Sequence, residues 1–311
     1  MKKQIKNIIF PILCLLVLLI GILCGVQWRH YKDSKTVVFR ISTDKKFIDY
    51  DLKTAINYLQ YQFEKMGYTV LPWRYPGAFY HQKGDNAAIN IFIRSNAFFY
   101  DTRMNKDALD IYYLHRFFYI YGEEMQGYDY YLSSQQNLKD ALRNYPNVGY
   151  FGVGSIPHKK LTPQYKYDVL YIAENINPQY TAFLEQNYQV EHYNSLTFGR
   201  LTEDEIKAKL AQARLVIYDK EPSSQDDADY VPYAVYDIIG YGRPLMTNAS
   251  APLHKTFAND IYLYQNEQEL FSKVSQALKE SDDIREQKAD RARQKALDAS
   301  KNTVLELPEK K

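Results

Sequence analysis

Two aspartates, Asp229 and Asp237, lie eight positions apart, and the second opens the run Asp237-Ile-Ile-Gly240-Tyr-Gly242-Arg243-Pro244-Leu-Met-Thr247-Asn248. Eight positions is a little over two turns of helix, so both carboxylates can project near one edge of a cleft. Asp229 reads equally as a first-turn acid favourable to its helix dipole. Thr247 and Asn248 end one strand, and Glu174 and Asn175 follow another; in open α/β sheets ligands bind at that carboxyl edge. Arg200, Lys220 and Arg243 are cations suited to charge-assisted hydrogen bonds with an anion, although Arg243 is equally a solvated turn residue. In the first half His115 sits in the aromatic run Tyr112-Tyr-Leu-His115-Arg-Phe-Phe-Tyr119, with Glu123 and Glu124 beyond it. Histidine is the commonest general base, and a histidine among aromatics is as readily a packed side chain. No His-x-Glu-x-x-His, cysteine cluster, phosphate loop or Gly-x-Ser-x-Gly occurs, so no metal is expected. Gly149-Tyr-Phe-Gly-Val-Gly154 lacks the following helix that a dinucleotide loop needs.

Around Asp237 the chain reads as helix, glycine turn and strand. Ala234, Val235, Ile238 and Ile239 fall at helical spacing, Gly240 and Gly242 end the helix, and Pro244 forbids its continuation. Before that segment, two alternating series are legible. The first has strands at residues 35–41, 68–71, 88–93, 129–133 and 148–153, and helices at 52–66, 107–121 and 135–142. Asp49 caps its first helix and Gly67 ends it. The second has strands at 168–172, 188–193, 215–218, 244–247 and 260–263, and helices at 179–186, 202–213, within 229–239, and 267–278. Thr202 with Glu205 makes a capping box. Strands alternating with helices imply two mostly parallel sheets covered by helices. The reading is thus α/β, with an N-terminal unit over 36–158, a linker over 159–166, a second unit over 167–281 and a charged helical tail over 282–311.

The chain has 311 residues, enough for two domains. With 39 basic and 37 acidic residues, nothing requires a nucleic-acid partner. Both cysteines, Cys14 and Cys24, lie in one apolar stretch. After a short tail over 1–7, residues 8–26 carry no charge; they would span roughly 29 Å, about one hydrocarbon core. Trp28 and Tyr31, in a linker over 27–35, suit the interfacial belt. A single-pass membrane anchor is expected, since the run is long for a signal peptide and no small-residue cleavage site follows. Lys2, Lys3 and Lys6 on one side and Arg29, Lys32, Lys35 and Arg40 on the other leave the orientation unassigned.

Three pieces of the second half, in order, carry a resemblance. They are Phe198-Gly-Arg200-Leu-Thr202-Glu-Asp-Glu205-Ile, then Ala211 to Tyr218, then the two acids ahead of Gly242-Arg243-Pro244. Together they resemble the donor half of GT-B glycosyltransferases, nearest to glycosyl transferases group 1 and the spore-maturation-type relatives. The resemblance implies two Rossmann-like domains, here behind the anchor, with a cleft between them. It implies transfer of a sugar from a nucleotide-sugar donor, a substrate rather than a cofactor, to a glycan or lipid acceptor. It further implies that Asp237 holds the donor's ribose, that Gly242 and Arg243 lie beside its diphosphate, and that His115 serves the acceptor. The enzymatic domain would then be cytoplasmic, where nucleotide sugars are. Two features depart from the family: both acids are aspartates where relatives carry glutamates, and the glycine-rich loop after the first is absent. They keep open the alternative of a non-catalytic envelope protein that binds glycans or serves as a scaffold on the same fold.

Overall fold

Strand β1 (Thr36–Ile41) is buried at every residue, the mark of a parallel strand covered on both faces. The computed structural model describes residues 19–22, 35–41, 46, 48–73, 87–93, 108–115, 128–134, 147–220, 230–303, 305 and 307. Among these, β1 joins β2 (Thr69–Val70), β3 (Ile89–Ile93), β4 (Leu109–Leu114), β5 (Tyr130–Ser133) and β6 (Val148–Tyr150) in one all-parallel sheet, ordered β2-β1-β3-β4-β5-β6. Val37, Phe39 and Ile41 of β1 share a core with Ile89, Ile91 and Ile93 of β3. Helix α1 (Tyr50–Lys65) lays Ala55, Ile56, Leu59 and Phe63 on that core. It is capped by Asp49, which accepts from Leu52 N–H at 2.7 Å, and is followed by Gly67 at φ 83°.

The helix expected over 107–121 is corrected: residues 109–114 form β4. The strand is central and buried on both faces, so it shows no alternation, and a short apolar run of that kind cannot be told from a helix by period. Residues 116–121, and the helix expected over 135–142, lie outside the described residues. So does the expected anchor over 8–26 except for residues 19–22, which are helical. Among the described residues no helix is long and apolar enough to cross a membrane.

A second all-parallel sheet, ordered β11-β10-β9-β7-β8, is built from β7 (Tyr167–Ala173), β8 (Val190–Asn194), β9 (Ala213–Asp219), β10 (Leu245–Asn248) and β11 (Tyr262–Tyr264). Its helices are α2 (Pro178–Asn187), α3 (Ser195–Gly199), α4 (Glu203–Gln212), α5 (Tyr233–Gly240), α6 (Ala251–Phe257) and α7 (Glu267–Lys279). Asn177 caps α2 ahead of Pro178, and Thr202 with Glu205 forms the capping box of α4. The strand order changes direction between β7 and β9, which puts a crevice outside their carboxyl ends.

Residues 151–166 link the sheets without helix or strand. The last helix, α8 (Asp282–Asn302), buries Ala289, Ala292 and Ala296 at helical spacing, small residues that allow close approach. In its last turn Ser300 Oγ accepts from Ser155 N–H of the linking segment at 2.6 Å, and beyond the helix Leu305 joins the core of the first sheet. The two halves also exchange aromatics. Tyr50, from α1, is buried in the core of the second sheet, and Tyr233, from α5, in that of the first.

Candidate functional site

Helix α5 starts between the carboxyl edges of the two sheets. His115 follows β4 and Phe151 follows β6, both just past the carboxyl ends of first-sheet strands. His115 Nε2 lies 3.2 Å from Tyr230 Oη, and Tyr233 Oη donates to Phe151 O at 3.2 Å. Tyr230 and Tyr233 belong to the segment that enters α5 after β9, so these contacts bring the two carboxyl edges face to face.

Asp237 sits midway along α5 with 14% of its side chain exposed. Tyr50 Oη donates to its Oδ2 at 2.7 Å, and His158 Nε2 lies 2.7 Å from its Oδ1. His158 is held flat against Tyr241, the ring centres 3.9 Å apart. Burial, and after it the charge of Asp237, hold the Tyr50 hydroxyl well above the ordinary phenol range, so it stays a donor. A carboxylate has about four acceptor sites, so Asp237 can take further hydroxyl donors beside these two partners.

Closer to the start of α5 lies Asp51, from the first turn of α1. Its Oδ1 accepts from Ala234 N–H at 2.9 Å, and its Oδ2 accepts from Tyr230 Oη and lies 3.2 Å from His115 Nε2. The Asp51 side chain is 1% exposed and that of His115 10%. Gly199, at the end of α3, meets the same part of α1 from the other side. A Cβ there would lie 2.6 Å from Tyr50 N and 2.7 Å from Asp49 C, contacts only glycine avoids. Lys53 Nζ donates to Gly199 O and Leu201 O at 2.9 and 2.8 Å, where the α3 dipole ends.

The residues expected to bind an anion divide. Glu174 and Asn175 follow β7 at the crevice, with Glu174 N–H donating to Asp219 O at 3.2 Å. Lys220 follows β9; its Nζ lies 4.6 Å from the centre of the Tyr230 ring, and its N–H donates to Asn248 Oδ1 at 2.7 Å. Asn248 therefore ties the ends of β9 and β10 together, and Thr247 is buried within the sheet. Arg200 reaches across to the first half and donates to Lys46 O at 2.9 and 2.7 Å. Asp229 lies outside the described residues, and α5 begins four residues after it, at Tyr233.

Arg243 does not reach the cleft. Its fully buried guanidinium donates to Leu210 O, Ala213 O and Glu286 Oε1 at 3.1, 2.8 and 3.0 Å. Ala213 opens β9, so Arg243 belongs to the amino edge of the sheet, opposite the crevice. The reason is direction: α5 runs back from the carboxyl edge, and the turn at its end must lie at the other edge. Gly242, in that turn at φ 73°, is placed with it.

No protein-family model matches the chain, and no curated protein matches it. Solved structures do. AviGT4, a glycosyltransferase involved in avilamycin A biosynthesis, aligns over 86% of this chain and 96% of its own at 10% identity, with a TM-score of 0.50. An alpha-glucosyltransferase solved with UDP and a 13-mer DNA containing an HMU base aligns over 86% of this chain and 95% of its own at 11% identity, with a TM-score of 0.51. The chain has the fold of the GT-B glycosyltransferases. In that GT-B frame, three side chains at the inter-sheet contact escaped the sequence reading. Asp51 and Tyr50 sit at a helix start whose cap, Asp49, already explains the local acids, and His158 lies in a segment with no period at all.

Proposed function

We propose that the chain is a glycosyltransferase that moves a sugar from a nucleotide-sugar donor to a glycan or lipid acceptor, with the donor seated at the carboxyl edge of the second sheet. The observation that carries this is the convergence on α5. Asp237, partly open to solvent, is oriented by Tyr50 and His158 from outside its own helix. A carboxylate so held is ready to accept the paired hydroxyls of a ribose. His115, across the gap with Asp51 on its Nε2, would face the acceptor. UDP is bound by the alpha-glucosyltransferase of like fold, which makes a nucleoside diphosphate the first probe. The run over 8–26 would hold the enzyme at a membrane, where a lipid-linked or envelope acceptor is met.

The second reading, a glycan-binding or scaffolding protein on the same fold, is favoured by one feature. Arg243, the arginine expected at the diphosphate, is spent inside the second half. Thermal melting with UDP, GDP and ADP in turn separates the readings. A ligand at a hundred times its Kd adds about 2.7 kcal/mol of stability. A rise in Tm with one of the three is the expected result; no rise with any, at millimolar concentration, would leave the second reading in place.

A further inference from the structure

We propose that Arg293 is a positioning residue for the donor: from α8 it fixes His158, and through His158 the carboxylate of Asp237. This rests on the donor reading above. The last carbonyls of a helix have no partner within it, and the negative end of its dipole draws a cation. At the end of α5 that cation is Arg293, whose Nε donates to Gly240 O at 2.9 Å. Its Nη2 donates at 2.6 Å to His158 O, in the segment that links the sheets. One planar guanidinium thereby sets the spacing between the backbone at residue 158 and the backbone of α5 just beyond Asp237. A lysine ammonium is a single point of charge on a flexible stem and has no fork to span two carbonyls.

The imidazole is aimed by the same arrangement. Its face lies on the Tyr241 ring, 14° from parallel, and its Nε2 is then 2.7 Å from Asp237 Oδ1. Gly240 makes the close approach possible. A Cβ there would lie 2.0 Å from Ser155 Oγ and 3.3 Å from His158 Cδ2, so any side chain would push the linking segment off the helix. Tyr50 holds the other oxygen of Asp237. The carboxylate is therefore oriented from two sides, and the His158 side depends on a backbone position that Arg293 fixes. With that side loosened, Asp237 gains freedom of rotation, and ordering it on a ligand costs affinity.

The test is a double-mutant cycle on the full chain in detergent, read by calorimetric titration with UDP. Arg293→Lys keeps the charge and loses the fork; it should bind UDP about threefold to tenfold more weakly, the worth of one neutral hydrogen bond. In an Asp237→Ala background the same change should alter UDP affinity by less than about twofold, because the two residues act through one contact. Its urea midpoint should fall equally in both backgrounds, which separates positioning from mere support of the fold. The ring nitrogen signal of His158 in NMR should also move in Arg293→Lys in the same direction as in Asp237→Ala. Arg293→Gln takes the place of Arg293→Lys in the cycle if the latter does not fold. Wild type that binds UDP, with Arg293→Lys that binds it equally well or loses affinity by the same factor in both backgrounds, overturns the positioning role and leaves the donor reading intact. If Asp237→Ala binds UDP as wild type does, Asp237 leaves the site and the proposal goes with it. If wild type binds no UDP, the donor reading itself falls.

Discussion

Replacing Arg243 by methionine should damage the fold and spare nucleotide binding. The guanidinium makes three charge-assisted hydrogen bonds, to Leu210 O, Ala213 O and Glu286 Oε1, from a side chain with no exposure. Removing one partner of a buried pair costs about 3–5 kcal/mol. Glu286 is 18% exposed and can be rehydrated, so the low end applies, about 3 kcal/mol. With a urea slope of about 1–3 kcal/mol per molar, the midpoint should fall by roughly 1–3 M at an unchanged slope. Lysine should not rescue the loss, because it lacks the planar fork that reaches two carbonyls at once. Over the same series UDP affinity should stay within about twofold. The guanidinium is at Ala213, and the crevice at Asp219 is six residues further along β9, roughly 20 Å at ~3.3 Å per residue. A midpoint within 0.5 M of wild type (about 1 kcal/mol at that slope) would refute the placement. So would a tenfold loss of UDP affinity in a variant that remains folded.

Asp237→Ala should weaken UDP binding about tenfold or more, since a hydrogen bond to a charged group is worth about 1.5–3 kcal/mol; unchanged affinity by calorimetry, with the fold intact, removes Asp237 from the site. Acid should loosen the docking of α8. Burial raises the Asp260 carboxyl, but Lys295 and Arg291 outweigh it and hold the group below its ordinary value. The stability this gives is present above the unfolded value, about 4, and is lost as pH falls through the folded one. The urea midpoint should therefore drop between about pH 5 and pH 3, and Asp260→Asn should flatten part of that slope; an identical slope in the variant counts against the ion pairs. The full chain should stay in the membrane fraction through an alkaline carbonate wash, as the uncharged run over 8–26 requires; release into the supernatant would exclude the anchor.

Most of the second sheet was legible because its strands are short apolar runs punctuated by caps that act locally. Asn177 before Pro178, Thr202 with Glu205, and Asn266, which accepts from Glu269 N–H at 3.0 Å, each mark a helix start within four residues. The first half was less legible where apolar and aromatic residues ran on without period. The run Leu109 to His115 has no alternation because Asp110, Tyr112 and Leu114 are as buried as Ile111 and Tyr113. Even the polar member is accounted for non-locally: Asp110 Oδ1 accepts from Asn90 Nδ2 at 2.8 Å, and Asn90 Oδ1 accepts from Arg40 Nε at 2.9 Å, a ladder across three strands.

The candidate site was legible only in the half that contains its helix. Asp237 could be singled out from α5 and its glycine turn, but its partners come from residues 50 and 158, and no period links such positions. The same turn misled for Arg243, since residue type and proximity in sequence to an acid do not say which edge of a sheet a turn faces; helix length and direction do. Asp51 is the sharpest case. In sequence it is one acid after a capped helix start, and in space it supplies the cap that α5 lacks. One of the contacts that join the two halves therefore rests on a residue that local capping rules leave without a task.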